Sequence, residues 1–353
     1  MDSKVVKAFE KLGEFMGAVA DCDKKMKLDK AIAKEYYDAL DELIISTHIY
    51  NGWFTDTNLR TAVKALSLSM AGGELQRWVS KYGDATPSAE KTIGLVMAGN
   101  IPLAGFHDLM CVLLAGHKAL VKLSSDDNKI LPLLVKVLEE IEPAMKGRVS
   151  YAEGLMKNAD AFIATGSNNS SRYFEYYFNK FPHIIRKNRN SAAVLSGKET
   201  AEELEALASD VFLYFGLGCR SVSKLYVPKM YDFTKMFKAF ESWKKIFENK
   251  KYGNNYDYIR AIYLLNKIPH MDGGYHMLKH DEALASPVAV IYYEYYDDLE
   301  QLGELLHSKE ELLQCVVSST NFGYPTIPFG KAQYPAVDEY ADGIDTLNFL
   351  LNL

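Results

Sequence analysis

Apolar residues recur at helical spacing through the first 88 positions of the chain. Phe9, Leu12, Met16 and Val19 fall on one face of a helix. The same period predicts helices over residues 31–50, 57–69 and 74–82. Gly72-Gly73 and Gly83-Asp84 break the pattern between and after the last two. None of these stretches carries obvious chemistry. Packing over the rest of the chain, or recruiting a partner, are the roles open to them.

From residue 91 the period changes. Short apolar runs at 93–97, 119–123 and 161–164 read as strands. Helical patterns over 103–116, over 130–145 and after Ser167 separate or follow them. A second alternating set follows, with strands at 192–195, 223–227 and 288–293 and helices at 199–213, 230–248 and 297–307. Strands alternating with helices imply an α/β fold on parallel sheets. The organisation expected is an N-terminal helical region (1–88), a nucleotide-binding α/β domain (89–188), a second α/β domain (189–327) and a C-terminal return segment (328–353).

The chain has 353 residues, 48% hydrophobic and 24% charged, with net charge −6. No Lys/Arg block is dense enough to bind nucleic acid. The nearest cluster, Lys244, Lys245, Lys250 and Lys251, reads as a solvated helix face. No apolar run reaches the ~20 residues that span a bilayer. The N-terminal run MDSKVVKAFEKLGEF lacks the apolar core of a signal peptide, and a cytoplasmic location is expected. The cysteines Cys22, Cys111, Cys219 and Cys315 are widely spaced, without CxxC or zinc-ligand spacing. Cys111 and Cys315 sit in apolar runs and read as core thiols. Tyr292, Tyr293, Tyr295 and Tyr296 read as strand and core filler.

Four segments carry candidate chemistry. Cys219 lies in YFGLGCRS, where small residues let a substrate approach the backbone and Arg220 would favour the nucleophilic thiolate. Asn100 follows a strand in GLVMAGNIPLAGF, where its amide can donate into a cleft or simply serve a turn. Lys122 ends the next strand in ALVKLSSDD. It reads equally well as a ribose or phosphate ligand and as an exposed lysine leaving a strand. In ATGSN, Gly166 and Ser167 stand between a strand and a helix, suited to a pyrophosphate or to an ordinary helix cap. There is no GxGxxG fingerprint and no P-loop.

In order along the chain, GNIPL, VKLSS, ATGS, GLGCRS and Pro328-Phe329-Gly330 resemble the signature segments of the aldehyde dehydrogenase superfamily. GWFTDTNLRTAVKAL, LQRWVSKYG and GIDTLNFL resemble the fatty-acid (acyl-CoA) reductases of the LuxC-like family within it. The resemblance spans roughly residues 50–350. It implies two Rossmann-like parallel-sheet domains and a Cys219 nucleophile with an Asn100 oxyanion donor. It also implies a cofactor site at Lys122, Ser125, Gly166 and Ser167, with no metal.

Three departures from the superfamily pattern refine this expectation. Its Glu-Leu-Gly-Gly segment, which supplies the base for hydrolysis, is replaced by Arg186-Lys187-Asn188-Arg189. Acyl-enzyme hydrolysis should then be slow, which favours reduction of an activated acyl group. The glutamate that holds the nicotinamide ribose is replaced by Ala283, with Glu282 adjacent. The carboxylate three residues after the lysine is replaced by Ser125, which points to NADPH, with NADH as the alternative. The expected reaction is reduction of an acyl-CoA or acyl carrier protein thioester to an aldehyde, with His107 or His183 as candidate proton donors. A cysteine-dependent acyltransferase and a non-catalytic interaction subunit are the competing readings. Assembly into a homo-oligomer stays open.

Overall fold

Asp2 begins the first helix by accepting the Lys4 N–H, and α1 (Ser3–Ala20) follows. Its face of Val5, Phe9, Leu12, Met16 and Val19 is buried, as the spacing predicts. α2 (Lys34–Ser46) runs on into a 3₁₀ turn at Thr47–Ile49. Thr55 caps α3 (Asp56–Met70), and left-handed Gly73 (φ 77°) turns the chain into α4 (Glu74–Ser80). α1 and α3 pack closely because α1 carries glycines at the contact. A Cβ on Gly17 would stand 2.6 Å from Ser67 Oγ. This computed structural model describes residues 1–23, 32, 34–83, 85–154, 156, 158–166 and 168–353; the expected helix start at Ala31, the Asp84 break and Ser167 lie outside them.

The alternating region then builds β1 (Thr92–Val96), α5 (Phe106–Leu114), β2 (Lys118–Lys122), α6 (Ile130–Ile141), β3 (Val149–Tyr151), β4 (Ala161–Thr165), α7 (Asn168–Phe178) and β5 (His183–Arg186). The strands lie side by side in the order β3-β2-β1-β4-β5, every neighbouring pair parallel. The order reverses at β1, so the topological switch point lies at the carboxyl ends of β1 and β4. The N-terminal helices share one hydrophobic core with α5, α6 and this sheet.

The next stretch runs β6 (Asn190–Val194), α8 (Ala201–Phe212), β7 (Val222–Pro228), α9 (Phe233–Phe240), α10 (Lys250–Leu265), β8 (Met271–Asp272), β9 (Met277–His280), β10 (Val290–Tyr296), α11 (Leu299–Ser308) and β11 (Leu313–Val317). Thr200 and Glu203 form a reciprocal capping box at the start of α8. The sheet order is β11-β6-β7-β10-β9-β8, parallel except for β8 against β9. The chain finally returns through α12 (Thr346–Leu351), whose Leu347 and Leu350 are fully buried in the first core.

By internal contacts the chain forms two units, Met1–Asn188 with Pro335–Leu353, and Arg189–Tyr334. In the first, His117 is fully buried and doubly used: its Nδ1 accepts the Lys91 N–H and its Nε2 reaches the Leu350 carbonyl at 2.9 Å. Among the described residues no helix is long and apolar enough to cross a membrane.

Candidate active site

In the second unit, α8 ends in a backbone conformation that L-residues rarely adopt. Tyr214 (φ 54°), Phe215 (φ 59°) and Gly216 (φ 72°) are left-handed in succession. The two aromatic residues hold this costly shape because their side chains are buried. The Ser221 N–H then bonds the Gly218 carbonyl at 3.0 Å, so Cys219 sits in a tight turn, exposed. Its carbonyl is anchored from behind by Ser191 Oγ at 2.9 Å, and the same hydroxyl lies 3.1 Å from Cys315 Sγ. The turn stands at the N-terminal edge of the second sheet, just ahead of β7. Cys111 is the buried thiol expected, whereas Cys315 is only half-buried.

The Pro328-Phe329-Gly330 signature clamps the cysteine turn. Buried Asp210 on α8 accepts the N–H groups of Gly330 (2.6 Å) and Ala332 (3.0 Å). Arg220 Nε donates to the Ala332 carbonyl, and Gln333 Nε2 donates to Ser221 Oγ at 3.2 Å. Position 330 must be glycine: φ is +78° and a Cβ would stand 3.1 Å from Ala206 Cβ. The Arg220 guanidinium therefore serves the 328–334 segment as well as the charge balance of the turn. Asp210, Ser191 and Gln333 were not singled out from sequence. Asp210 left one signal, since it lies three residues after Leu207, on the apolar face of α8.

Burial pushes the Asp210 carboxyl up to about 6, against the pull of its two N–H donors and Arg220. A raised carboxyl pKa in the folded state means the fold favours the protonated form. Stability associated with this group is present below the unfolded pKa of about 3.9 and falls until the pH passes about 6. Replacing Asp210 by Asn removes this dependence and adds a constant loss of one acceptor. Urea unfolding at stepped pH should therefore show the variant gaining on the wild type by about 3 kcal/mol between about pH 4 and 7. A pH-independent gap between the two proteins would rule the argument out.

In the first unit the other predicted residues gather at the carboxyl ends of adjacent strands. Asn100 follows β1, Lys122 ends β2, and Gly166 follows β4. Asn100, Lys122 and Ser125 are exposed. The loops after β1 and β2 are locked together. The Leu103 N–H donates to Asp127 Oδ2 at 2.7 Å, and a Cβ on Gly99 would stand 2.3 Å from Ser124 Oγ. Leu103 is left-handed (φ 58°), so this bond holds a strained turn. Burial pushes the Asp127 carboxyl up to about 6. From the N-terminal helices, Asn51 Nδ2 reaches the Asp126 carbonyl at 3.2 Å. Asn100, Lys122, Ser125 and Gly166 thus stand at or just beyond the carboxyl ends of β1, β2 and β4 in the first unit, and Cys219 lies in the second unit.

Two expectations about neighbouring residues change. Arg186, the first residue of the Arg186-Lys187-Asn188-Arg189 stretch, is a buried structural cation. It binds Asp108 (Nη2 to Oδ1, 2.6 Å), the Ala341 carbonyl (2.6 Å) and Thr346 Oγ1 (2.7 Å). His107 is set between Trp78 and Tyr340, with Nε2 2.7 Å from the Val337 carbonyl and Nδ1 3.7 Å from Cys111 Sγ. Burial lowers its pKa, and both ring nitrogens face protein, so it is not a proton donor to substrate. His183 is exposed at the start of β5. Glu282 is exposed too, beside Asp281, whose carboxylate takes the Lys279 ammonium and the Ala283 N–H.

The two parallel sheets, with a cysteine turn ahead of β7 and a topological switch point at β1 and β4, define an aldehyde dehydrogenase-like fold. Aldehyde dehydrogenase 21 of Physcomitrella patens, solved with the reaction product succinate, is 13% identical with a TM-score of 0.67 over 98% of this chain and 84% of its own. The indole-3-acetaldehyde dehydrogenase AldA of P. syringae, solved with NAD+, is 12% identical with a TM-score of 0.59 over 91% of this chain and 73% of its own. An aldehyde dehydrogenase of Bacillus cereus, also solved with NAD+, is 13% identical with a TM-score of 0.56 over 90% and 72%. No curated protein sequence matches the chain. Residues 23–239 match the family described as Acyl-CoA reductase (LuxC), and the chain belongs to that family of oxidoreductases.

Proposed function

We propose that the protein reduces a fatty acyl thioester, acyl-CoA or acyl carrier protein, to an aldehyde with NADPH. The observation that carries this reading is Cys219, exposed on a braced turn in a chain of the acyl-CoA reductase family. An exposed thiol on a rigid turn can reach a carbonyl without reorganising. The Cys219 thiolate attacks the thioester carbon. The Cys219 backbone N–H is assigned to the oxyanion. The thiol of the carrier leaves, and Cys219 Sγ keeps the acyl group as a new thioester.

The solvent-facing donors Lys122 and Ser125 and the side-chain-free Gly166, at the ends of three neighbouring strands, suit a nicotinamide dinucleotide. Lys122 would take the adenosine ribose and its 2′-phosphate, Ser125 the same phosphate, and Gly166 the pyrophosphate. NADPH, when bound, supplies the hydride. Cys219 then releases the reduced group as an aldehyde. The superfamily's hydrolytic base is replaced here by an Arg186 bound to Asp108. The acyl group on Cys219 therefore waits for reduction instead of being lost to water.

The experiment mixes the protein with acyl-CoA and NADPH and follows both NADPH oxidation and aldehyde. Acyl adduct without NADPH oxidation would instead mark a cysteine acyltransferase, and no adduct a non-catalytic subunit. Replacing Lys122 by Ala should raise the Kd for NADPH roughly 10-fold or more, the worth of one charged hydrogen bond. Fluorescence titration measures it, and an unchanged Kd removes Lys122 from the cofactor site.

A further inference from the structure

Six lysines and two glutamates stand between positions 235 and 251, in a chain whose net charge is −6. Lys235 and Lys238 lie on the exposed side of α9, whose other side buries Phe233, Met236 and Phe240. Lys244 and Lys245 are exposed on the 3₁₀ stretch Glu241–Glu248 that runs on from α9. Lys250 and Lys251 are exposed in the first turn of α10. Asn249 fixes that turn by accepting the Lys251 and Tyr252 N–H groups. Half-buried Trp243 and exposed Phe247 sit among the lysines. Lys238, Lys244, Lys245 and Lys250 form no ion pair among the described residues. Like charges gathered on one surface repel one another, and an acidic surface laid over them relieves the repulsion.

This basic strip borders the cysteine turn within the second unit. Trp243, next to Lys244, has its ring centroid 6.0 Å from that of Phe212 on α8. Tyr252, next to Lys251, lies 5.9 Å from Phe215. Phe215 precedes Cys219 by four residues, so their Cα atoms are at most about 15 Å apart. Tyr252 also lines one surface cleft with Gly216 and Val222, which flank the cysteine turn on either side.

Two carriers of a thioester are anionic, CoA through its phosphates and an acyl carrier protein through its acidic side chains. The strip suits the second. Its cations are all lysines, point charges without the guanidinium fork that matches a phosphate. They are spread over the outer sides of three successive elements, where a protein surface can meet them together and a compact phosphate group cannot. Trp243 and Phe247 supply apolar anchors of the kind such contacts use. We propose that the 235–251 strip docks an acidic carrier protein that brings the acyl thioester to Cys219. The inference rests on the thioester-reductase reading and chooses its donor, carrier protein over CoA.

The probe is a fluorescein-labelled holo acyl carrier protein, its thiol free, titrated against the full chain under reductant and read by anisotropy. Binding should weaken about 10-fold from low to physiological salt. Lys244→Glu combined with Lys245→Glu should raise the Kd about 10-fold or more, while the Kd for CoA stays within about twofold. Lys238→Glu with Lys250→Glu repeats the test if the first variant does not fold. Lys229→Glu, outside the strip and paired with Asp297, should leave the Kd unchanged. No binding, or an equal loss with Lys229→Glu, overturns the inference. Parallel weakening of CoA would give the strip to CoA phosphates and overturns it as well. Wild-type protein with NADPH and both thioesters separates the two claims. Docking without NADPH oxidation by either thioester sinks the reductase reading and leaves this one standing, and reduction of acyl-CoA without docking does the reverse.

Discussion

Cys219→Ala should abolish NADPH oxidation with acyl-CoA, with a fall of roughly 10³-fold or more, the usual cost of losing a covalent nucleophile. Intact mass should show an acyl adduct on the wild type and none on the variant. Cys219 is exposed on a turn held by Ser191 from one side and, through Arg220 and Ser221, by the 328–334 segment from the other. The Ala side chain fits the same turn, so the variant should remain as stable as its parent. Circular dichroism and a urea titration would show that the loss is chemical. An adduct that persists on Cys219→Ala would move the acceptor elsewhere, with half-buried Cys315 the next thiol to test.

Arg186→Met should be the most destabilising single change discussed here, by about 3–5 kcal/mol, because it leaves the Asp108 carboxylate buried and unpaired. Arg186 is 3% exposed and Asp108 8%. The guanidinium also holds Ala341 and Thr346, so the loss reaches the returning segment. Changing Asp108 to Leu in the same chain should recover much of the deficit, since the two charges are then removed together. Chemical denaturation of the single and double variants measures both effects. If the single variant were no less stable than the wild type, Arg186 would not be the structural cation described above.

Much of the alternating pattern could be read directly. The strands at β1, β2, β4, β7 and β10 carry enough branched or aromatic apolar residues to stand out between helices. β3, β5, β9 and β11 were not legible, for they are three to five residues long and carry polar or charged positions. β5 is His183-Ile-Ile-Arg186, and its arginine looks like a loop residue until Asp108 is seen beside it. α10 was missed because its buried side chains are the tyrosines Tyr252, Tyr256 and Tyr263 while its Leu264 and Leu265 are exposed, so the aliphatic residues trace no stripe. The region 230–248 reads as one helix but is α9 followed by a 3₁₀ stretch, Glu241–Glu248.

The candidate site was legible to a different degree. Cys219, Asn100, Lys122 and Gly166 stand out because glycines, prolines and strand ends surround them. Their supports do not. Asp210 and Asp127 act through buried carboxyls, and Ser191 through a hydroxyl that meets two segments remote in sequence. Long-range partners of that kind leave only a polar residue on an apolar face.

The first unit is discontinuous, since residues 335–353 complete a core begun by residues 1–188. Arg186 and His117 both wait for partners in that last piece. During synthesis, the second unit is therefore fully translated while the first still lacks α12. The nascent chain carries an open apolar surface on α5, and an Arg186–Asp108 pair without its outer partners, for about 150 further residues of elongation. At ribosomal speeds of about 5–20 residues per second this lasts on the order of ten to thirty seconds. The first unit can thus close only after the whole of the second has been made.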